Sequence, residues 1–188
     1  MVSTSYLILI GAVALQRLLE VRVSRLNESE LESRGAVEHA PEQMPVMKAV
    51  HTGWLLCSVL EVWLLHRPMV RWLALLALAL FCVGQLLRLL AMRELGTRWT
   101  VKIITIPDSA PVTSGVFRYL RHPNYVGVIL EIFALPLIHG AWLTSLLFSI
   151  ANGMLLSRRI AAEEHALSQT SDYAERFQGR PRLVPKLP

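Results

Sequence analysis

The chain has 188 residues, of which 18% are charged and 53% hydrophobic, with a mean hydropathy of +0.43. Soluble domains carry about 25% charge, and here the apolar residues gather in long blocks, which points to a polytopic membrane protein. The net charge of +5 comes without a basic stripe interleaved with aromatics, so nucleic acid is excluded as a partner. Cys57 and Cys82 both sit inside apolar blocks, which leaves neither a disulfide framework nor a zinc pattern.

Crossing the hydrocarbon takes about 20 helical residues. The first block, Thr4–Val23, lacks the basic start and small-residue cleavage site of a signal peptide and reads as a retained span. Met47–Leu65 and Trp72–Leu95 are the second and third spans. Tyr125–Ile138 and Ala141–Leu156 are shorter, broken only by His139–Gly140, and form a hairpin of tilted or re-entrant spans, with Pro136 kinking the first near its end. Basic residues cluster in 22–48, 93–124 and the tail after 157, fifteen of the nineteen, whereas Arg67 and Arg71 stand alone on the opposite side. Five spans with the N-terminus outside therefore put the charged loops and tail in the cytoplasm. The expected fold is an all-α integral membrane protein of about five transmembrane helices, with a cytoplasmic cofactor-binding loop and a C-terminal helix. Residues 1–94 form three N-terminal spans, and 95–188 form a catalytic half.

Between the third and fourth spans, TVKIITI (100–106) alternates and is β-branched, and PDSAP is turn chemistry. Within the spans lie polar groups that are costly in lipid unless they face a cavity or a partner: Gln16, Arg17, His51, Glu61, Gln85, Arg88, Glu131 and Asn152. Arg88 pairing with Glu131 or Glu61 is the natural expectation, as a structural ion pair or as part of a substrate cavity. Arg159 and Glu163 share one helix face, with Glu164 about 100° around. Such a pair is usually a surface salt bridge, but this helix leaves the membrane opposite the RHPNY turn (121–125). Pro123 suits a first helical turn, and the N–H groups there could bind a carboxylate or phosphate. His122, His165 and the glutamates match no metal-ligand spacing.

As a set, VTSGVFRYLRHPNYVG (112–127), the apolar hairpin, RIAAEEHAL (159–167), Tyr173 and RLVP (182–185) resemble the isoprenylcysteine carboxyl methyltransferase family. The resemblance covers about residues 95–188. It implies an S-adenosylmethionine-dependent O-methyltransferase built within the membrane, in keeping with the absence of a G-x-G-x-x-G stretch. Carried over position by position, the cofactor contacts fall on Ala110, Pro111, Val112, Phe117, His122, Pro123, Asn124, Tyr125 and Glu163. Phe117 stands where the family has a tyrosine, so ring stacking is kept and a hydroxyl lost. The family's substrate-binding arginine falls on Arg159. Arg159, Glu163 and Glu164 are the expected catalytic group, and Arg88 and Glu131 join Arg159 as the expected substrate wall.

The expected acceptor is a lipid or prenylated molecule that enters from the bilayer, such as an isoprenylcysteine carboxylate, and membrane lipids are the surrounding partners. A carboxylate is already ionised at neutral pH, so Arg159 could orient it bidentately with no base. A phenol or enol, such as an alkyl-polyketide pyrone, would instead draw on His122 or Glu164. Two other readings are a NADPH-dependent membrane reductase with the same C-terminal architecture and a non-catalytic lipid-binding protein. The expected location is a bacterial inner membrane, with the active site facing the cytoplasm.

Overall fold

The computed structural model describes residues 2–184; Pro185, the last residue of the RLVP motif, and Lys186 of the basic tail lie outside them. The helices follow the apolar blocks closely: α1 (Thr4–Ser33), α2 (Gln43–Leu64), α3 (Arg71–Leu95), α4 (Pro123–Leu137) and α5 (Trp142–Thr170), with a short α6 (Tyr173–Arg176) in the tail. The segment Arg71–Arg98 is long and apolar enough to cross a membrane. Large apolar side chains are exposed around the bundle, among them Ile8 on α1, Trp63 on α2, Leu75 on α3 and Leu147 on α5. An exposed apolar girdle of this extent suits contact with lipid rather than water.

Two helices outrun their apolar blocks. Helix α1 continues about ten residues past its span, and α5 runs unbroken from the hairpin turn through RIAAEEHAL to Thr170, because no proline or glycine after Gly153 interrupts it. The extension of α1 holds the loop after α3. Ser24 Oγ accepts from Val101 N at 2.9 Å, Asn27 donates to the Trp99 carbonyl at 2.6 Å, and Lys102 pairs with Glu28 at 3.2 Å.

The fold is not purely helical. Strand β1 (Val37–His39) pairs antiparallel with β2 (Ile103–Thr105), in the register Val37↔Thr105 and His39↔Ile103. The β-branched run TVKIITI finds its partner across the bundle, and Lys102–Glu38 (2.9 Å) and His39–Thr105 (2.8 Å) reinforce the ribbon.

Helices α3 and α4 cross at two glycines. A Cβ on Gly127 would fall 2.6 Å from the Gly84 carbonyl oxygen and 2.4 Å from Arg88 Cγ, so only glycine permits this approach. At the far end of the bundle, Glu61 of α2 accepts from Thr144 N and Thr144 Oγ1, both at 2.7 Å, and from Leu143 N at 3.2 Å. It thereby satisfies amides left free at the start of α5. Arg67 pairs with the same carboxylate and stacks over Trp142. Glu61 is thus a helix cap with its own arginine, not a partner of Arg88.

Pro136 lies in the last turn of α4, near the end of the span as expected. The chain then turns through Gly140 at φ +73°.

Candidate active site

Beneath the ribbon lies a cavity of about 520 Å³ that runs from the loop at 109–112 down between α1, α2 and α5. Ala110, Pro111, Val112, Phe117, His122, Asn124, Tyr125, Arg159, Glu163 and Arg88 all line it. Pro123, Glu131 and Glu164 do not. Pro123 is fully buried as the first residue of α4. Glu164, about 100° around the helix from Glu163, turns away from the cavity toward the tail.

The loop from 95 to 122 is suspended from both sides. Ser114 donates to Glu94 of α3 at 2.7 Å, and Gly115 (φ +54°) sits so close to that glutamate that a Cβ would collide with it. Arg98 donates to the Ala110 carbonyl at 2.7 Å. On the tail side, Arg180 Nη1 donates to the Phe117 carbonyl at 2.7 Å while its guanidinium lies over the Phe177 ring. The backbone amides of Arg121 and His122 donate to the Pro181 and Arg182 carbonyls, and Arg182 grips Glu164 through two nitrogens. The tail is therefore a latch that fixes the aromatic wall of the cavity. Sequence reasoning missed Arg180; its only signal was a basic residue between the turn glycine and Pro181.

Glu164 is the acidic anchor of this latch. Partial burial pushes its carboxyl up, but hydrogen bonds from His122 and Arg182 outweigh that and hold it down at about 2. A carboxyl with a lowered folded-state value contributes stability above its ordinary range and loses it as pH falls toward the lowered value. The Glu164 contribution to the latch is thus complete at neutral pH and fades as pH falls from the ordinary carboxylate range toward about 2. Replacing Arg180 with alanine is expected to free the tail at neutral pH, so that limited proteolysis cleaves after residue 176 several times faster than in the wild type. An unchanged cleavage rate would remove Arg180 from the latch.

Within the cavity the His122 and Tyr125 rings stack, 5.4 Å apart and inclined by 23°. The Tyr125 hydroxyl donates to Glu163. Arg159, 4% exposed, donates from Nη2 to the Val101 carbonyl at 2.9 Å, while its buried Nε has no partner among the described residues. Arg159 and Glu163 do not form the i,i+4 salt bridge that their spacing allows: each faces the cavity with capacity left to bind. A carboxylate beside aromatic faces suits a positively charged ligand, and a buried arginine with a free donor suits an anion.

Below this level α1, α3 and α4 meet in a buried charge cluster. Arg88 Nη2 pairs with Glu20 at 2.7 Å and its Nη1 with Glu131 at 3.1 Å, while Arg17 pairs with both acids. Gln16 donates to Gln85 at 2.8 Å and to Glu20 at 2.9 Å. The expected Arg88–Glu131 pair is present, but Glu131, expected on the substrate wall, is sealed inside the cluster, 1% exposed. The physical reason is that two arginines need two acids to stay charged in a low-dielectric interior. Glu20, a residue that the sequence did not single out, supplies the second.

The chain is similar to known proteins over much of its length. The model of the isoprenylcysteine carboxyl methyltransferase (ICMT) family matches residues 75–169. The uncharacterized protein YpbQ of Bacillus subtilis is 38% identical over 165 residues, 87% of this chain and 97% of that one. The protein-S-isoprenylcysteine O-methyltransferase of Schizosaccharomyces pombe is 32% identical over 116 residues, 60% of this chain. The match spans only 49% of that enzyme's length. A solved structure of the eukaryotic intramembrane Ras methyltransferase ICMT shares the fold, with a TM-score of 0.56 over 79% of this chain and 54% of that one, at 22% identity.

Proposed function

The chain belongs to the isoprenylcysteine carboxyl methyltransferase family, and on that premise we propose that it is an integral membrane O-methyltransferase that uses S-adenosylmethionine to methylate an acidic oxygen, first a carboxylate, of a lipidic acceptor. The observation that carries this reading is the pairing of Arg159 and Glu163. They lie one turn apart on α5 and face one cavity, unpaired with each other, between an aromatic wall beneath the ribbon and a chamber among the helices.

When bound, S-adenosylmethionine supplies an electrophilic methyl group on a positively charged sulfur. The cavity's upper end has the chemistry to hold such a group. Glu163 offers a carboxylate to the cation, Tyr125 and Phe117 offer ring faces, and the chain at Ala110–Val112 offers backbone contacts. Tyr125 orients Glu163 through its hydroxyl, and His122 stacks behind Tyr125. Arg159 holds the acceptor's carboxylate bidentately through its guanidinium fork, whose Nε is free, and fixes the attacking oxygen in line, which is where most of the rate gain in such a transfer arises. The ribbon and the tail latch exclude water. No residue needs to remove a proton from an ionised carboxylate.

The reading is tested by titration calorimetry of the detergent-solubilised protein with S-adenosylhomocysteine and, in a parallel cell, NADPH. Saturable binding of the first alone, lost or weakened at least tenfold in Glu163→Ala, is expected. Binding of NADPH alone would make the chemistry a reduction, and unchanged affinity in Glu163→Ala would remove Glu163 from the cofactor site.

The proposed topology is five spans in a bacterial inner membrane, with the N-terminus outside and the cavity mouth in the cytoplasm, supported by the distribution of basic residues. Met69, exposed between α2 and α3, is the better reporter than Gly140, whose Cβ would meet the Pro68 carbonyl at 2.7 Å. In a chain with Cys57 and Cys82 replaced by alanine, Met69→Cys should react with an impermeant maleimide from outside intact cells. Labelling only after lysis would reverse the topology.

A further inference from the structure

The cavity does not end at Arg159. Helix α5 presents Asn152, Leu155, Leu156, Arg159 and Glu163 along one cavity-lining face, so the chamber continues seven residues, about 10 Å of helix, past the arginine. Asn152 lies at its lower end, 1% exposed, its Oδ1 buried and its amide without a hydrogen bond to any described residue. The Ser149 hydroxyl on the same helix also has no partner among the described residues, but Ser149 does not line the chamber, and other buried polar side chains nearby are satisfied. Ser58 donates to the Trp54 carbonyl, Trp54 to the Ile132 carbonyl, and Thr144 to Glu61. An amide in a low-dielectric interior is costly unless something meets it.

Its neighbours on the chamber wall point the same way. His51 of α2 uses Nδ1 on its own helix, to the Met47 carbonyl at 3.0 Å, and lines the chamber with the rest of its ring. Arg17 of α1 also lines it, with a buried Nε that has no partner among the described residues. Leu18 and Thr52 line the chamber yet are exposed, Leu18 by 69%, so the chamber opens sideways between α1 and α2.

We propose that Asn152 is a specificity-determining residue that reads a second hydrogen-bonding group on the acceptor, about 10 Å deeper than the oxygen that receives the methyl. This rests on the methyltransferase reading above and narrows its substrate class. The acceptor is an amphiphile with an acidic oxygen at Arg159, an amide- or hydroxyl-bearing segment at Asn152, and a hydrocarbon tail that leaves between α1 and α2. A molecule that turns to plain hydrocarbon directly below its carboxylate would cover the Asn152 amide with nothing to satisfy it, the costlier of the two arrangements.

The probes are two tritiated acids matched in chain length, N-dodecanoyl-6-aminohexanoate, with an amide at the required depth, and nonadecanoate, with none. Equilibrium dialysis against the full-length protein saturated with S-adenosylhomocysteine should give about tenfold tighter binding of the amide acid, the effect of one well-placed hydrogen bond. Asn152→Leu, close in volume, and Asn152→Ala, which adds no bulk, should both bring the ratio near one. Equal binding by the wild type, binding of neither acid, or a preference that survives in both variants would overturn the proposal. Failure of the methyltransferase reading is separate: S-adenosylhomocysteine would then not bind the wild type, and the same ratio measured on the unliganded protein still decides the role of Asn152.

Discussion

Replacing Arg159 with alanine is expected to lower kcat/KM for a carboxylate acceptor at least a hundredfold while S-adenosylhomocysteine binds as before. Hydrogen bonds to charged groups contribute about 1.5–3 kcal/mol each, and about 1.4 kcal/mol is a factor of ten, so loss of a two-pronged grip falls in this range. The Arg159 guanidinium is buried at the cavity wall, already spends one nitrogen on the Val101 carbonyl, and keeps Nε unpaired. Removing it would leave the acceptor's carboxylate without a counter-charge in a low-dielectric chamber. Arg159→Lys separates charge from geometry: it retains the charge but not the fork, and should recover only part of the rate. Steady-state kinetics with a radiolabelled methyl donor measures both variants. Turnover by Arg159→Ala above a tenth of the wild-type value would sink the orienting role.

Gly127→Ala should be the most damaging single-methyl addition in the bundle, costing about 3 kcal/mol or more. The added carbon would meet the Gly84 carbonyl oxygen at 2.6 Å and Arg88 Cγ at 2.4 Å. The first is backbone and cannot rotate away, so α3 and α4 must separate. Arg88 moves with α3, and its bonds to Glu20 and Glu131 are the middle of the buried cluster. Breaking such a cluster leaves uncompensated charge in the membrane interior, a larger cost than the clash alone. Thermal unfolding in detergent, followed by circular dichroism, should show a Tm lowered by about 6 °C or more. Gly11→Ala, where a Cβ meets nothing within 4 Å, is the matched control and should leave the Tm essentially unchanged. A drop in Gly127→Ala no larger than in the control would mean that the helices part without cost.

Much of the site was readable before the fold. Phe117, His122, Tyr125, Arg159 and Glu163 stand on one cavity because short motifs at the two ends of a hairpin must come together wherever the hairpin closes. The partnership of Glu163 and Glu164 was not readable in the same way. Adjacent acids on a helix point about 100° apart, and only the position of the tail shows that Glu164 anchors the latch while Glu163 faces the cavity. The ribbon was half legible: TVKIITI announced a strand, but VEH (37–39) is too short to announce its partner.

The amino-acid sequence alone places the helices and the motifs on them, because apolar length and breaker residues act locally, within one segment of chain. It also determined that Arg17, Arg88, Glu61, Glu131 and Asn152 needed partners, because a polar group inside a membrane helix cannot go unpaired without cost. The identity of each partner was decided only by tertiary structure. Glu20 joins Arg88, Arg67 joins Glu61, and the Gly84–Gly127 approach brings Arg88 against α4, because helix packing sets which faces meet, and no one helix carries that information. Asn152 Oδ1 finds no hydrogen-bond partner among the described residues, and the cavity that leaves its amide open exists only once five helices have closed around it.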